Sequence, residues 1–154
     1  MDYIKKLIGI VAGLFLVLVV AWLCSFSLKM DFNWYNGLSK PSFMVDSSVF
    51  VAFVSVVYFL HVMVISRLVT GKHLVPSMVF LGVVGLLAIL FNFVFFTHKN
   101  LYVGFVFVAG IFAFSLILQL RFFLKDKVLG LYYLPIFIFN FYCLLVTGFI
   151  VFNN

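Results

Sequence analysis

Five long runs of apolar residues follow one another along this 154-residue chain, and they constrain its fold more than any other feature. Each run has roughly 20 residues, enough to cross the hydrocarbon core of a bilayer as an α-helix. Helices are expected rather than barrel strands, because the runs lack alternating polar residues and because helices satisfy their own backbone groups in lipid. Hydrophobic residues make up 67% of the chain and charged residues 9%. The sequence therefore predicts an all-α integral membrane protein, a five-transmembrane-helix bundle.

The expected spans divide a single membrane domain, residues 1–154, into five helices and four connectors. They cover residues 7–26, 48–69, 77–97, 101–123 and 129–152. The long connector, 27–47, is rich in aromatic and turn-forming residues, and we expect it to form a lid over a binding site. The first run resembles a secretory signal, but it is long, lacks a small-residue cleavage site and carries Trp22 as an interfacial anchor. We therefore expect it to be retained as a span. Pro135 predicts an interruption of the last span.

Lysine and arginine are distributed unequally between the two sides of the predicted bundle. The larger group is Lys5, Lys6, Arg67, Lys72, Arg121, Lys125 and Lys127, and the smaller group is Lys29, Lys40 and Lys99. The positive-inside rule therefore predicts an N-terminus in the cytoplasm. Short connectors and the lack of a transit-like leader favour a bacterial cytoplasmic membrane, with a mitochondrial membrane as the alternative. The net charge of +6 is spread in small groups over both faces, so we expect a lipid bilayer partner and no nucleic acid.

Polar residues inside the spans need partners or a cavity, because the hydrocarbon core offers no water. His61 lies in the middle of the second span, on the same helical face as Phe50, Val54 and Tyr58. It can be read as a proton relay or a haem ligand, but a hydrogen bond to a neighbouring helix is the simpler interpretation. Interhelical hydrogen bonding and pocket lining both remain open for the other polar residues, Asn92, Ser115, Gln119, Asn140, Cys143 and Thr147.

The chain has little that suggests catalysis. Its four acidic residues all lie at the edges of the spans, and no metal-spaced cluster or glycine-rich phosphate loop occurs. A pocket for an apolar or aromatic ligand is therefore favoured over an enzyme, with no required cofactor and no metal. Gly9 and Gly13 form a GxxxG motif that lets helices approach closely. This motif can serve internal packing or a dimer seam, and we expect a homodimer.

A resemblance to a known family is carried by the connector and the second span. WYNGLSKPSF, which begins at Trp34, followed by Phe50 and Tyr58, is similar to the signature of the TspO/MBR family of tryptophan-rich sensory proteins, which reads roughly WYxxLxKPxWxPPxxxFxxxWxxxY. FNFVFF in the third span and LPIFIFNFYCLLVTG in the fifth resemble further family segments. The resemblance covers nearly the whole chain and implies five spans and a membrane receptor or translocator for porphyrins such as protoporphyrin IX.

The resemblance also implies a set of ligand-binding residues. By position they are Tyr35, Phe43, Val45, Val54, Tyr58, Phe91, Val94, Ser115, Phe139 and Cys143. Family members have been linked to light-dependent porphyrin breakdown that involves pocket tryptophans, but Val54 and Phe139 stand where the family has Trp. We therefore expect porphyrin binding with weak or absent degradation.

Two alternative functions remain open. The chain can be a non-catalytic structural or assembly subunit of a membrane complex, whose polar residues only join helices. It can also be an intramembrane enzyme that acts on lipid or porphyrin, and such an enzyme would need His61 or a tyrosine as its working group.

Overall fold

The computed structural model describes residues 2–27, 31–70 and 74–154, which form five long helices and a short one. The long helices are α1 (Asp2–Ser27), α3 (Ser47–Thr70), α4 (Leu74–Asn92), α5 (Leu101–Lys125) and α6 (Lys127–Asn153), and the short one is α2 (Phe32–Gly37). Helix α4 continues into a π-helical segment, Phe93–Thr97. All five long helices are long and apolar enough to cross a membrane. The predicted five-helix membrane bundle is therefore confirmed.

Side-chain caps fix where the last two helices begin. The Asn100 Oδ1 atom accepts a hydrogen bond from the Val103 N–H at the start of α5. Asp126 likewise accepts from two backbone N–H groups at the start of α6, as N-cap residues do. Only Asp126 separates α5 from α6, so this connector is shorter than the predicted 124–128. Pro135 lies inside α6 without ending it, and the predicted interruption of this span is wrong. Membrane helices tolerate such a proline when neighbouring groups satisfy the freed carbonyl.

The long helices follow one another around the bundle in the order α1, α3, α6, α5, α4, and α4 returns to α1 through a sparser contact. The most deeply buried side chains lie where α3, α5 and α6 meet, and they include Val64, Leu118, Tyr133 and Ile136. Large apolar side chains on the outer surface are exposed, as expected for helices that face lipid. The tight packing of α3, α5 and α6 leaves room for a cavity on the side of α1 and α4.

Helix α1 lies against α3 through the GxxxG motif. A Cβ atom built on Gly9 would lie 2.9 Å from the backbone oxygen of Ser66, and one on Gly13 would lie 3.1 Å from that of Val62. Only glycine permits so close a backbone approach. The motif therefore serves internal packing, and its face is already occupied by α3.

An ion pair ties α3 to the junction of α5 and α6. The Arg67 guanidinium donates to both carboxylate oxygens of Asp126, at 2.7 Å from Nε and 3.2 Å from Nη2. This bidentate geometry is favourable for arginine and carboxylate. The Arg67 hydrogen bond lowers the pKa of Asp126, and the backbone N–H groups of α6 act in the same direction. Because the carboxylate also caps α6, one residue sets both the chain reversal and the contact with α3.

Some residues used in the sequence interpretation lie outside the described part of the chain. These are Lys29, Lys72 and His73, together with the side chains of Lys5 and Lys6. The orientation of the bundle in the membrane stays a prediction. The end of the bundle at which residues 31–46 lie is the connector end.

Candidate ligand-binding cavity

A cavity of about 880 Å³ lies between the five long helices. Along α3 its wall runs from Phe50 to Ile65, and along α4 from Met78 to Asn92. At 1.5 Å per residue each stretch is roughly 20 Å long. The remaining wall comes from Leu16, Val17, Val20, Cys24 and Ser25 of α1, Val108 and Ile111 of α5, and Phe139, Asn140 and Cys143 of α6. The cavity thus extends along the long helices over much of their length.

Aromatic rings form part of the cavity wall. The rings of Phe50 and Phe139 have their centroids 5.7 Å apart with a 39° tilt, which joins α3 to α6. Phe91 lines the cavity and packs on Phe95 with centroids 5.2 Å apart. Tyr58 adds a fourth lining ring. Such rings present broad flat faces on which a planar ligand can stack.

His61 lines the cavity near the middle of α3. Its Nδ1 atom lies 2.8 Å from the backbone oxygen of Val57 in the same helix. The expected hydrogen bond from His61 to a neighbouring helix is therefore wrong, because the preceding turn of α3 supplies the partner. The His61 ring meets the Tyr133 ring edge-on with centroids 6.4 Å apart. Contact with α6 is thus made by packing of the two rings.

A buried polar cluster stands behind this part of the wall. The Tyr133 hydroxyl donates to the Ser115 Oγ atom at 3.1 Å, and the Asn140 Nδ2 atom donates to the same oxygen at 2.6 Å. Tyr133 and Ser115 are fully buried, whereas Asn140 also lines the cavity. Gln119, on the same helix as Ser115, donates to the backbone oxygen of Gly130 at 3.0 Å. These bonds confirm interhelical hydrogen bonding for Ser115, Gln119 and Asn140, with Asn140 also a lining residue.

Asn92 lies toward the connector end of the cavity. Its Nδ2 atom donates to the backbone oxygen of Ala88 at 3.1 Å in the same helix. A second hydrogen bond links its side chain to Cys24 of α1. The Asn92 side chain is therefore already committed to protein partners. It helps to hold α1 against α4 where the two helices contact each other sparsely.

After α2 the connector continues along α6 as a segment without regular secondary structure. The Ser39 N–H donates to the Asn154 side chain at 2.8 Å, and the Val45 N–H donates to the Tyr142 hydroxyl at 3.0 Å. Between them the Phe43 ring packs edge-on against Phe149, with centroids 6.5 Å apart. Non-helical backbone beside a membrane bundle needs such partners. The connector therefore covers the final turns of α6, and none of its described residues lines the cavity.

An ion pair between Asp31 and Lys99, called the latch below, holds α2 to the turn before α5. The Asp31 carboxylate caps α2 by accepting from the N–H groups of Asn33 and Trp34. It also pairs with the Lys99 Nζ atom at 2.9 Å, and this Nζ atom lies 5.9 Å from the Trp34 ring centroid. Lys99 adopts a left-handed φ of 55° in the tight turn. The hydrogen bond to Lys99 lowers the pKa of Asp31.

Five of the ten site residues implied by the family resemblance come together around the cavity. They are Val54, Tyr58, Phe91, Phe139 and Cys143. They belong to α3, α4 and α6, so the cavity brings together residues that are far apart in sequence. Val54 and Phe139 provide an aliphatic and a phenyl group where tryptophan was expected from the family pattern.

The other five implied residues lie outside the cavity lining. Tyr35 packs on Phe96 with centroids 5.7 Å apart, and the Lys40 Nζ atom lies 4.3 Å above the Tyr35 ring. Phe43 and Val45 contact α6 as described above. Ser115 stands behind Asn140, and Val94 belongs to the π-helical segment. These five residues support or border the cavity without lining it. The Lys40 Nζ atom above the Tyr35 ring also donates a hydrogen bond to the Asn36 side chain at 3.3 Å.

Several lining residues were missed by the family-based site assignment. His61, Asn92 and Asn140 were noted as polar residues but were left out of the predicted site. Their polarity inside long apolar helices was the signal that could have placed them there. The apolar α1 residues Leu16, Val17 and Val20 gave no such signal, because nearly all residues of that helix are apolar and only packing decides which of them face inward.

Comparison with known proteins gives one family match. The model of the TspO/MBR family matches residues 10–152, nearly the whole chain. None of the curated proteins matches the chain.

Proposed function

The chain belongs to the TspO/MBR family, and on that premise we propose that its cavity binds a porphyrin such as protoporphyrin IX or a related flat hydrophobic ligand. Family membership and the five apolar helices make it a membrane protein with a binding, sensory or transport role. The observation that carries the proposal is the cavity of about 880 Å³ between the five helices. Its size lies within the range of small-molecule sites.

The aromatic wall supports a planar ligand. Phe50, Tyr58, Phe91 and Phe139 surround the cavity on three helices, and offset stacking on such rings contributes about 0.5–1.5 kcal/mol per pair beyond simple burial. Apolar contact along the rest of the wall supplies the larger share of the binding free energy. The proposed mechanism is therefore burial of an apolar ligand face against ring faces, with no covalent step.

The proposal does not include efficient porphyrin breakdown. Neither Trp22 nor Trp34 is among the described cavity-lining residues. Val54 and Phe139 cannot supply the indole chemistry that the family resemblance associates with light-dependent degradation. We accordingly expect the bound porphyrin to persist under illumination.

Protoporphyrin IX should bind the detergent-purified protein saturably, and Phe139→Ala should weaken the binding by roughly tenfold because it removes a stacking face and its contact area. The measurement is a titration in the dark followed by porphyrin absorbance. Phe152→Ala is the matched control, since Phe152 lies on the same helix and its side chain is 77% exposed. Illumination of the saturated sample then tests for porphyrin loss. Absence of saturable binding would contradict the proposal and favour a structural or assembly subunit.

A signalling role would require the connector to respond when a ligand occupies the cavity. The contacts of the connector suggest a route for this response. Trp34 and Tyr35 of α2 pack on Phe95 and Phe96, which belong to the π-helical segment that follows the cavity-lining end of α4. We propose that a bound ligand rigidifies this aromatic group and thereby the connector. Chymotrypsin cleavage at the connector should then slow in the presence of saturating protoporphyrin IX. Equal cleavage rates with and without the ligand would rule out this mechanism.

The latch predicts a defined pH response of the connector. Because the pKa of Asp31 is lowered from 3.8, the ion pair with Lys99 is fully present above that pH and is lost as the pH falls through the lowered value. Trp34 emission, measured in a Trp22→Phe background, should stay constant from neutral pH down to about 4 and change only below it. Lys99→Met should produce the altered emission already at neutral pH, whereas Lys125→Met, at the far end of the bundle, should not. An unaltered Lys99→Met spectrum would contradict the latch.

We also propose that the protein is a homodimer in a bacterial cytoplasmic membrane with its N-terminus in the cytoplasm. The charge distribution of the flanks supports this orientation. The GxxxG face of α1 is occupied by α3, so a dimer would use another surface. Cross-linking in native membranes tests the association, and cysteine accessibility at the two bundle ends tests the orientation.

A further inference from the structure

Two hydrogen-bond acceptors on the cavity wall have no protein partner in the described part of the chain. The carbonyl of Val57 can only accept, so the Nδ1 atom of His61 donates to it, and in the neutral ring the Nε2 atom keeps a lone pair. Asn140 donates through its Nδ2 atom to Ser115, which leaves its Oδ1 atom as an acceptor. Both residues line the cavity.

The two acceptors are held by the same buried cluster. The His61 ring rests against the Tyr133 ring, and the Tyr133 hydroxyl and Asn140 both donate to Ser115. Tyr133 and Ser115 are fully buried, so neither can move without disturbing the core of the bundle. The acceptors therefore face the cavity from α3 and α6 in a fixed arrangement, near the middle of the helices.

An unpaired acceptor in an apolar cavity is unfavourable, and a ligand that donates a hydrogen bond removes that penalty. We propose that the Nε2 atom of His61 and the Oδ1 atom of Asn140 select ligands that carry an O–H or N–H donor on an otherwise apolar, aromatic body. A carboxylate at this depth would meet two acceptors and be disfavoured. The Tyr58 hydroxyl can both donate and accept, so it does not discriminate between these classes. The inference rests on the proposed function of the cavity and specifies the chemistry of its ligand.

Three fluorescent probes of nearly equal size test this selectivity. 1-Pyrenemethanol carries a hydroxyl donor, its methyl ether keeps the oxygen as an acceptor only, and 1-methylpyrene has neither. Their dissociation constants are measured for the wild-type protein and for His61→Phe and Asn140→Leu in the same detergent. Comparing the ratio of affinities between proteins cancels differences in the partition of the probes into micelles.

The wild-type protein should bind 1-pyrenemethanol about threefold to tenfold more tightly than its methyl ether, as expected for a net hydrogen bond. Each variant should lower this preference, whereas the affinity for 1-methylpyrene should change little. Ser55→Ala is the matched control. Ser55 lies on the same helix as His61 but is not among the cavity-lining residues, and its hydroxyl donates to the backbone oxygen of Val51 in its own helix, so this variant should keep the wild-type preference.

The possible failures are distinguishable. If the wild-type protein binds all three probes equally, the cavity is a ligand site but the selectivity inference is wrong. The inference is equally wrong if both variants retain the full preference. If no probe binds the wild-type protein, the selectivity inference fails, and the dark titration with protoporphyrin IX then shows separately whether the proposed function fails as well. His61 and Asn140 lie on different helices, so if one variant does not fold, the other still decides between these results.

Discussion

Replacing Ala88 with Trp should weaken porphyrin binding by at least tenfold, while the protein stays folded. Ala88 lines the cavity on α4, one turn before Asn92, and its small side chain leaves room that the ligand needs. An indole buries on the order of 200 Å² and would occupy the space where a planar ligand stacks. The loss is measured by the same dark titration with protoporphyrin IX.

The control for this substitution is Ala113→Trp. Ala113 lies on α5 and is exposed on the outer surface of the bundle, so the same added indole would face lipid. This variant should bind protoporphyrin IX like the wild-type protein. If Ala88→Trp binds normally while it elutes and melts as the wild-type protein does, the ligand does not occupy the cavity.

Gly9→Ala should destabilise the bundle by about 1–3 kcal/mol, because overpacking at a tight contact forces backbone displacement. The added Cβ atom would lie 2.9 Å from the backbone oxygen of Ser66, and a backbone atom cannot rotate away as a flexible side chain can. Gly13→Ala should cost less, since its nearest contact is 3.1 Å. The free energy of unfolding is measured in mixed micelles by denaturant titration.

Gly82→Ala provides the matched control. A Cβ atom at Gly82 would have no described neighbour within 4 Å, and alanine favours a helix over glycine by up to about 1 kcal/mol. This variant should therefore be neutral or more stable. If Gly82→Ala and Gly9→Ala lowered the stability equally, the loss would come from replacing a helical glycine as such, and the close contact of Gly9 with α3 would not be its cause.

The sequence revealed the GxxxG motif but not the surface against which it packs. The GxxxG spacing of Gly9 and Gly13 is a local pattern, and it correctly indicated a close helix approach. Whether that approach is internal or between subunits depends on which surface faces the motif. Only the placement of Ser66 and Val62 of α3 against it answers that question.

For the polar residues too, the sequence showed that they need partners, and the structure showed which partners they have. Inside long apolar helices, His61, Asn92 and Asn140 were recognisable as residues that need partners. Their partners differ in kind, since His61 bonds within its own helix and Asn140 bonds to α5. Helical periodicity gives the face on which a residue lies, but the rotation of each helix about its axis is fixed by packing against its neighbours.

The sequence pattern of the connector predicted its order but not its position relative to the cavity. Its aromatic and turn-forming residues indicated an ordered lid, and the short helix α2 and the contacts of Ser39 and Val45 with α6 are ordered indeed. None of its described residues lines the cavity, however. Tyr35 and Phe43, assigned to the site by resemblance, instead pack on Phe96 and Phe149.

The sequence by itself determined the membrane class, the five helices and the family, because long apolar runs and short motifs act within continuous segments of chain. The tertiary structure decided which half of the implied site residues meet, and it added His61, Asn140 and the α1 wall to them. The physical reason is that helices which are apolar all round carry almost no record of their inward face. That face is chosen by the fit of neighbouring side chains in three dimensions.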